Sequence, residues 1–281
     1  MLAPGCGRRV QSDIVKPIRH RQRPRSYLIA LLLTVFVGCA TDNSNRQTLV
    51  QYSTINALLS GVYDGDLTFG QLKRHGDFGL GTFNALDGEM VALDGNFYQV
   101  KTDGTVALVA DAMLTPFATV TFFKPDHSLS LTNSLDFHGI EHALDQVLPD
   151  KNAFYAIRIE GVFASVKARS VPRQHLPYPP LLEAAKRQSI FEFHHVRGTM
   201  VGFRVPEYAG KLNVPGYHFH FLTADRHAGG HVLACRIQSG KAEIDRTTRF
   251  LMILPQHGAF AETDIAQPRN EELGTVEKGE P

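Results

Sequence analysis

The side chains best placed to do chemistry are three histidines in the run Gly216-Tyr-His-Phe-His-Phe-Leu-Thr-Ala-Asp-Arg-His-Ala-Gly-Gly-His231-Val-Leu. His218 and His220 are two apart, so on a β-strand both point to one face. Thr223 to Ala228 reads as a turn, and His231-Val-Leu-Ala-Cys-Arg-Ile237 as a returning strand. If the turn is the four-residue Ala224-Asp-Arg-His227, residue 223 pairs with 228 and residue 220 with 231. Directly opposed residues share a face of the sheet, so His218, His220 and His231 converge on one point. Three neutral imidazoles with one open position are the ligand set of a catalytic zinc centre. A His-x-His pair alone carries little weight, and the pattern is also compatible with histidines that only pack or face solvent. The register-matched third histidine is what favours a metal. His227 falls in the turn and is left out of the ligand set.

Two other histidine groupings compete. His138-Gly-Ile-Glu-His142 fits a His-x-x-Glu-His pattern in which two histidines on one helical face bind zinc and the glutamate is the base. Gly139 weakens such a helix, and the alternative is a surface helix with two unrelated histidines. His194 and His195 are adjacent, so on a strand they face opposite ways and cannot share one metal.

These residues need a scaffold. The chain has 281 residues, 43% hydrophobic and 20% charged, as in an ordinary globular protein. The formal net charge of +1 gives no reason to expect nucleic acid as a partner. Eighteen Phe, eight Tyr and no Trp suit a β-rich core. The first 39 residues read as a leader. Lys16, Arg19, Arg21, Arg23 and Arg25 precede an apolar run from Tyr27 to Gly38, which ends at Gly38-Cys39. A basic stretch, a short apolar stretch and small residues at its end describe an export signal. Gly-Cys resembles a bacterial lipobox, with Phe36 where leucine is usual, so the expectation is an exported, periplasmic protein lipid-anchored at Cys39. The alternatives are a simple cleaved signal or an uncleaved anchor. Of three cysteines only Cys235 lies in the expected folded part, so no disulfide framework is expected, and Cys235 reads as a buried small residue.

Residues 40–47 read as a polar tether, 48–155 as an N-terminal β-meander subdomain, and 156–281 as a C-terminal β subdomain carrying the histidines. Thr48 to Leu59 looks helical. Gly81 to Leu86, Glu89 to Leu93, Asn96 to Val100 and Thr105 to Val109 read as four strands joined at Asp87-Gly88, Asp94-Gly95 and Asp103-Gly104. Asp-Gly is the pair that a type I′ hairpin turn demands. Leu131 to Val147 reads as a helix. Residues 154–160 and 161–169 read as two strands about a Glu160-Gly161 turn, and 189–195 and 198–206 as two more. Pro179 to Gln188 reads as a helix, and the tail after His257 as polar and irregular. The fold class expected is α+β and β-rich, with two mixed or antiparallel sheets and a few peripheral helices.

Three separated motifs carry a resemblance. Gly81-Thr-Phe-Asn-Ala-Leu-Asp-Gly-Glu-Met90, Phe163-Ala-Ser-Val-Lys-Ala-Arg-Ser-Val-Pro-Arg-Gln174, and Gly216-Tyr-His-Phe-His-Phe-Leu with Gly229-Gly-His-Val-Leu233 resemble, in order, the α-acetolactate decarboxylase family. The resemblance runs from about residue 48 to the C-terminus. It implies a zinc enzyme with His218, His220 and His231 as metal ligands, acting on the small molecule 2-acetolactate, and a homodimer. It further implies that Arg169 holds the substrate carboxylate and that Glu89 and a tail glutamate deliver a proton. Glu277 matches best, with Glu271, Glu272 and Glu280 as rivals. No glycine-rich nucleotide loop suggests an organic cofactor. Two readings of other classes remain: a secreted zinc hydrolase or peptidase with Glu89 as base, and a non-catalytic periplasmic metal-binding lipoprotein.

Overall fold

A computed structural model describes residues 47 to 278, with the Lys278 side chain not described. The leader and most of the tether lie outside the described residues, as does Glu280.

The fold is α+β and β-rich. The strands are β1 (Thr48–Tyr52), β2 (Leu67–Thr68), β3 (Phe78–Thr82), β4 (Glu89–Leu93), β5 (Asn96–Val100), β6 (Val106–Leu108), β7 (Leu114–Thr115), β8 (Ala118–Thr121), β9 (His127–Leu131) and β10 (Leu135–Asp136), followed by β11 (Phe154–Ser170), β12 (Ser189–Val205), β13 (Gly216–Thr223), β14 (Gly229–Thr247) and β15 (Arg249–Ile253). The helices are α1 (Ile55–Leu59), α2 (Phe69–Leu72), α3 (Phe137–Asp145), α4 (Leu181–Ala185) and α5 (Asn270–Lys278).

One sheet has seven strands in the order β15-β1-β8-β3-β4-β5-β6, so β15 crosses from the second half of the chain to pair in parallel with β1. The other has six, built on β10-β14-β11-β12-β13 with β9 alongside β14. Because β13 also pairs with β14, the four strands β11, β12, β13 and β14 close into a ring. Strand alternation sorts the side chains. Phe219 and Phe221 on β13 enter one apolar cluster with Phe163, Met200 and Ile237. Leu222, on the opposite face, joins Val91 and Leu93 of β4 in the cluster that packs the two sheets together. His218 and His220 have the parity of Leu222, and Glu89 that of Val91, so all three face the space between the sheets. A further cluster gathers Ile55 and Leu58 of α1, Leu181 of α4 and Leu273 and Val276 of α5 beside that space.

Several expectations need correction. Thr48 to Leu59 is not one helix. Residues 48–52 complete the seven-stranded sheet between β8 and β15, Ser53 breaks the strand with φ +64°, and Thr54 caps α1 by accepting from the Ala57 N–H. Of the three Asp-Gly pairs only Asp94-Gly95 forms the tight hairpin, with both φ values positive (53° and 78°) between the paired Leu93 and Asn96. Gly81 to Leu86 is strand only to Thr82. Residues 83–88 carry a short 3-10 turn, and Asp103-Gly104 sits in a longer connection. Glu160-Gly161 is not a turn, since β11 and β12 are each continuous strands of 17 residues. Gly161 pairs with both Gly198 and Gly240, and a Cβ there would lie 2.5 Å from the Ser239 carbonyl oxygen, so the glycine serves close strand approach. The helix expected over Leu131 to Val147 is confined to α3, after β9 and β10. The tail is not irregular: it forms a 3-10 turn at Gly258–Ala261 and then α5.

Candidate active site

The histidine hairpin has the register read from the turn. His220 faces His231 across the β13–β14 ladder, and the Thr223 N–H donates to the Ala228 carbonyl at 2.9 Å. On the far side of β14, His231 pairs with Arg169 of β11. Arg169, His231 and His220 therefore form one row across three neighbouring strands, with His218 two residues along β13. Sequence spacing reached the histidines. It had no way to place Arg169, since β11 and β14 are joined only by long-range pairing.

All three imidazoles are buried, and one nitrogen from each lies within 4.8 Å of the others. His220 Nδ1 lies 2.8 Å from the Met90 carbonyl oxygen, and His231 Nε2 lies 3.0 Å from that of Glu277. A carbonyl only accepts, so both nitrogens donate, which puts the acceptor lone pairs on His220 Nε2 and His231 Nδ1. His218 Nε2 approaches His231 Nδ1 at 3.0 Å, and its own Nδ1 has no partner. Burial drives the His218 pKa down to about 3 and those of His220 and His231 well below the ordinary value, with the Arg169 charge adding to each. The imidazoles are thus neutral at physiological pH, as metal ligands must be. Two of them are backed by backbone carbonyls, the usual way of fixing a ligating histidine. The donor set fits a metal ion.

Around the triad stand one cation and two acids. Arg169 is 4% exposed, its Nη1 donates to Gln188 Oε1 at 3.2 Å, and its Nη2 lies 3.9 Å from Glu277 Oε1. Glu89 Oε2 lies 3.7 Å from His220 Nε2. Glu277 Oε2 lies 3.4 Å from His218 Nε2 and has no hydrogen-bond partner. Burial raises both carboxyls to about 7, although Arg169 pulls each the other way. Near neutral pH each is thus poised to hold or release a proton. The opposite wall of the chamber is apolar, from Ile55, Leu58, Leu86, Phe117, Val171 and Leu181. Sequence reading missed this wall and Gln188, because neither carries a motif. It also missed that Glu277 rides on a helix, although Glu271 and Glu272 in the first turn are a helix-start signal.

Neither rival grouping joins the triad's cluster, although His138 and Glu141 line a cleft that also reaches His218 and His231. His138 is exposed on α3 and pairs with Glu141 of its own helix at 3.5 Å. His194 and His195 are both exposed. His227 is exposed in the turn. Cys235 is a buried free thiol, as read. Among the described residues, the histidine triad is the metal-competent cluster.

A buried histidine triad flanked by one arginine and two carboxyls, set between two sheets, is the candidate active site, and the relatives make this chain a carbon–carbon lyase of the carboxy-lyase class. A protein named alpha-acetolactate decarboxylase from Methanosarcina mazei is 52% identical over 237 residues, covering 84% of this chain and 82% of the relative. One of the same name from Methylococcus capsulatus is 49% identical over 227 residues, covering 81% and 87%. The crystal structure of alpha-acetolactate decarboxylase from Bacillus subtilis strain 168 superposes with a TM-score of 0.81 at 40% identity, covering 82% of this chain and 99% of that one. The alpha-acetolactate decarboxylase family model matches residues 49–267, and the chain belongs to that family. Helix α5, with Glu277, follows the matched stretch.

Proposed function

We propose that this protein converts (S)-2-acetolactate to (R)-acetoin and CO2, with zinc held by His218, His220 and His231. The observation that carries this is the row Arg169–His231–His220 flanked by two buried carboxyls of raised pKa. The substrate, 2-hydroxy-2-methyl-3-oxobutanoate, has a ketone β to its carboxylate. When the C1–C2 bond breaks, its electron pair passes into the C2–C3 unit as an enediolate, and C2 must then gain one proton. Zinc in this ligand set supplies Lewis acidity towards the developing negative charge. Arg169 binds the carboxylate through its planar fork and fixes the C–C bond that breaks. The apolar wall receives the two methyl groups and keeps water from the carbanionic carbon. Glu89 on β4 and Glu277 on α5 approach from different elements, and one of them delivers the proton to a single face of C2.

The test is production of acetoin and CO2 by purified protein with and without added zinc. Zinc-dependent (R)-acetoin formation is expected. Metal binding without CO2 release would leave a metal-binding protein, and ester or peptide turnover would point to a hydrolase.

We further propose that the protein is exported from the cytoplasm. What supports it is the basic run Lys16 to Arg25, the apolar stretch to Gly38, and Cys39 as the site of lipid attachment. The homodimer is supported by the family resemblance alone.

A further inference from the structure

Helix α1 is buried along its whole length, yet its second residue is an asparagine. Asn56 is 2% exposed. A buried amide is tolerated where its N–H groups find acceptors. Asn56 Nδ2 donates to the carbonyls of Ile265 and Gln267, each at 2.9 Å. The carbonyl between them, that of Ala266, accepts from Lys211 Nζ at 2.8 Å. Three successive carbonyls are therefore gripped, two by Asn56 and one by Lys211. They belong to the strap that leads directly into α5, which seats Leu273 and Val276 in the apolar cluster and carries Glu277 to the triad.

The seated arrangement leaves little room. The chamber holds about 40 Å³ of free volume, whereas a single buried water needs roughly 10–15 Å³. That is room for a few waters beside the triad, tighter than a substrate of nine non-hydrogen atoms calls for. Glu277 lines this chamber and also two larger clefts, of about 570 and 390 Å³; His218 and His231 line the smaller one too, so Glu277 stands where the chamber and both clefts meet. The other polar walls, Glu89, Arg169 and the histidines, sit on paired strands, while α5 is held chiefly by side chains.

We propose that Asn56, assisted by Lys211, is the latch of a C-terminal lid: a positioning residue that seats Glu277 over the triad and releases the strap to admit substrate. The proposal rests on the reading that Glu277 serves the reaction. It also explains why a buried position next to Ile55 and Leu58 is given to a polar residue.

The test reads the lid without reading turnover. When α5 is seated, His231 Nε2–H is bonded to the Glu277 carbonyl, whereas His220 Nδ1–H is bonded to Met90 within the sheet. In the zinc-loaded full-length protein, the two imidazole N–H signals and the α5 amides are followed by NMR hydrogen exchange in the parent, Asn56→Ala and Lys211→Met. Loss of two hydrogen bonds in Asn56→Ala should speed exchange of the His231 N–H and of the Leu273 and Val276 amides about 30-fold. Lys211→Met, a surface change that does not threaten folding, should speed them about 5-fold. His220 Nδ1–H and the β-sheet amides should keep the parent's rates. The latch is refuted if the His231 and α5 signals exchange as in the parent in both variants, or if the His220 signal accelerates in step with them. Absence of acetoin formation by a protein whose lid behaves as described would instead sink the functional reading and leave the latch standing.

Discussion

Replacing Arg169 with lysine separates charge from geometry. The charge stays, so the effect of Arg169 on the Glu89 and Glu277 carboxyls and on the three imidazoles should persist, and zinc content should match the parent. What is lost is the fork. In the structure one terminal nitrogen of Arg169 is engaged by Gln188 at 3.2 Å while the other faces the chamber near Glu277 at 3.9 Å. A lysine has one shorter-reaching ammonium and cannot serve both sides. A substrate carboxylate would lose one of two N–H···O bonds to a charged group, about 1.5–3 kcal/mol. At about 1.4 kcal/mol per factor of ten, kcat/KM should fall roughly 10- to 150-fold. The assay is acetoin formation by metal-replete protein with zinc quantified in the same samples. Activity within about threefold of the parent at full zinc occupancy would mean that Arg169 does not hold the carboxylate.

Other expectations follow from the same geometry. Alanine at His218, His220 or His231 should weaken zinc binding by more than about 100-fold, beyond the cost of losing a group that merely backs a ligand, while His227→Ala should retain zinc, as metal analysis after dialysis will show. Glu277→Gln should keep fold and metal but lower kcat about 100-fold or more, the usual contribution of a positioned acid; parent-like turnover would leave Glu89 to act alone. Truncation before Asn270 should abolish decarboxylation and also lower the melting temperature, because buried Leu273 and Val276 go with it, an upper estimate of roughly 3–6 kcal/mol by area. Asp245 gives a pH signature away from the site. Burial, opposed by a hydrogen bond from the Lys124 N–H, raises its carboxyl to about 7, so the folded state holds a proton that the unfolded state releases near pH 4. Its stabilising contribution is complete below pH 4 and lost as pH rises through 7. Asp245→Asn should therefore gain stability on the parent between pH 5 and 8 in denaturant titrations, and parallel curves would contradict the shift.

The histidine triad was legible because everything needed to place it is local. One turn sets the register of two short runs, and alternation does the rest. Arg169 was legible only through resemblance, since its place opposite His231 depends on pairing between segments some sixty residues apart. Strand lengths were misread at Glu160-Gly161 because glycine marks both turns and crowded ladders, and only the neighbours Gly198 and Gly240 decide between them. The β1 strand was misread as helix because its identity comes from filling a gap between β8 and β15. Helix α5 shows just Leu273 and Val276 as buried apolar residues in a polar stretch, too thin a stripe to be read without the cluster that receives it.

The ring formed by β11, β12, β13 and β14 bears on how the protein acquires its metal. None of the three imidazoles sits on a loop, and the ladder that aligns them is made by backbone bonds and apolar packing that need no ion. Small metal domains whose ligands come together only on binding unfold when the ion is removed. Here the apoprotein should remain folded, and chelation should be reversible without refolding. The free energy of metal binding is then spent on affinity. Divalent ions compete for a ready-made site in the general order of their preference for nitrogen, with copper above zinc. Which ion occupies the centre is accordingly set by the compartment in which the chain meets its metal as much as by the ligands themselves.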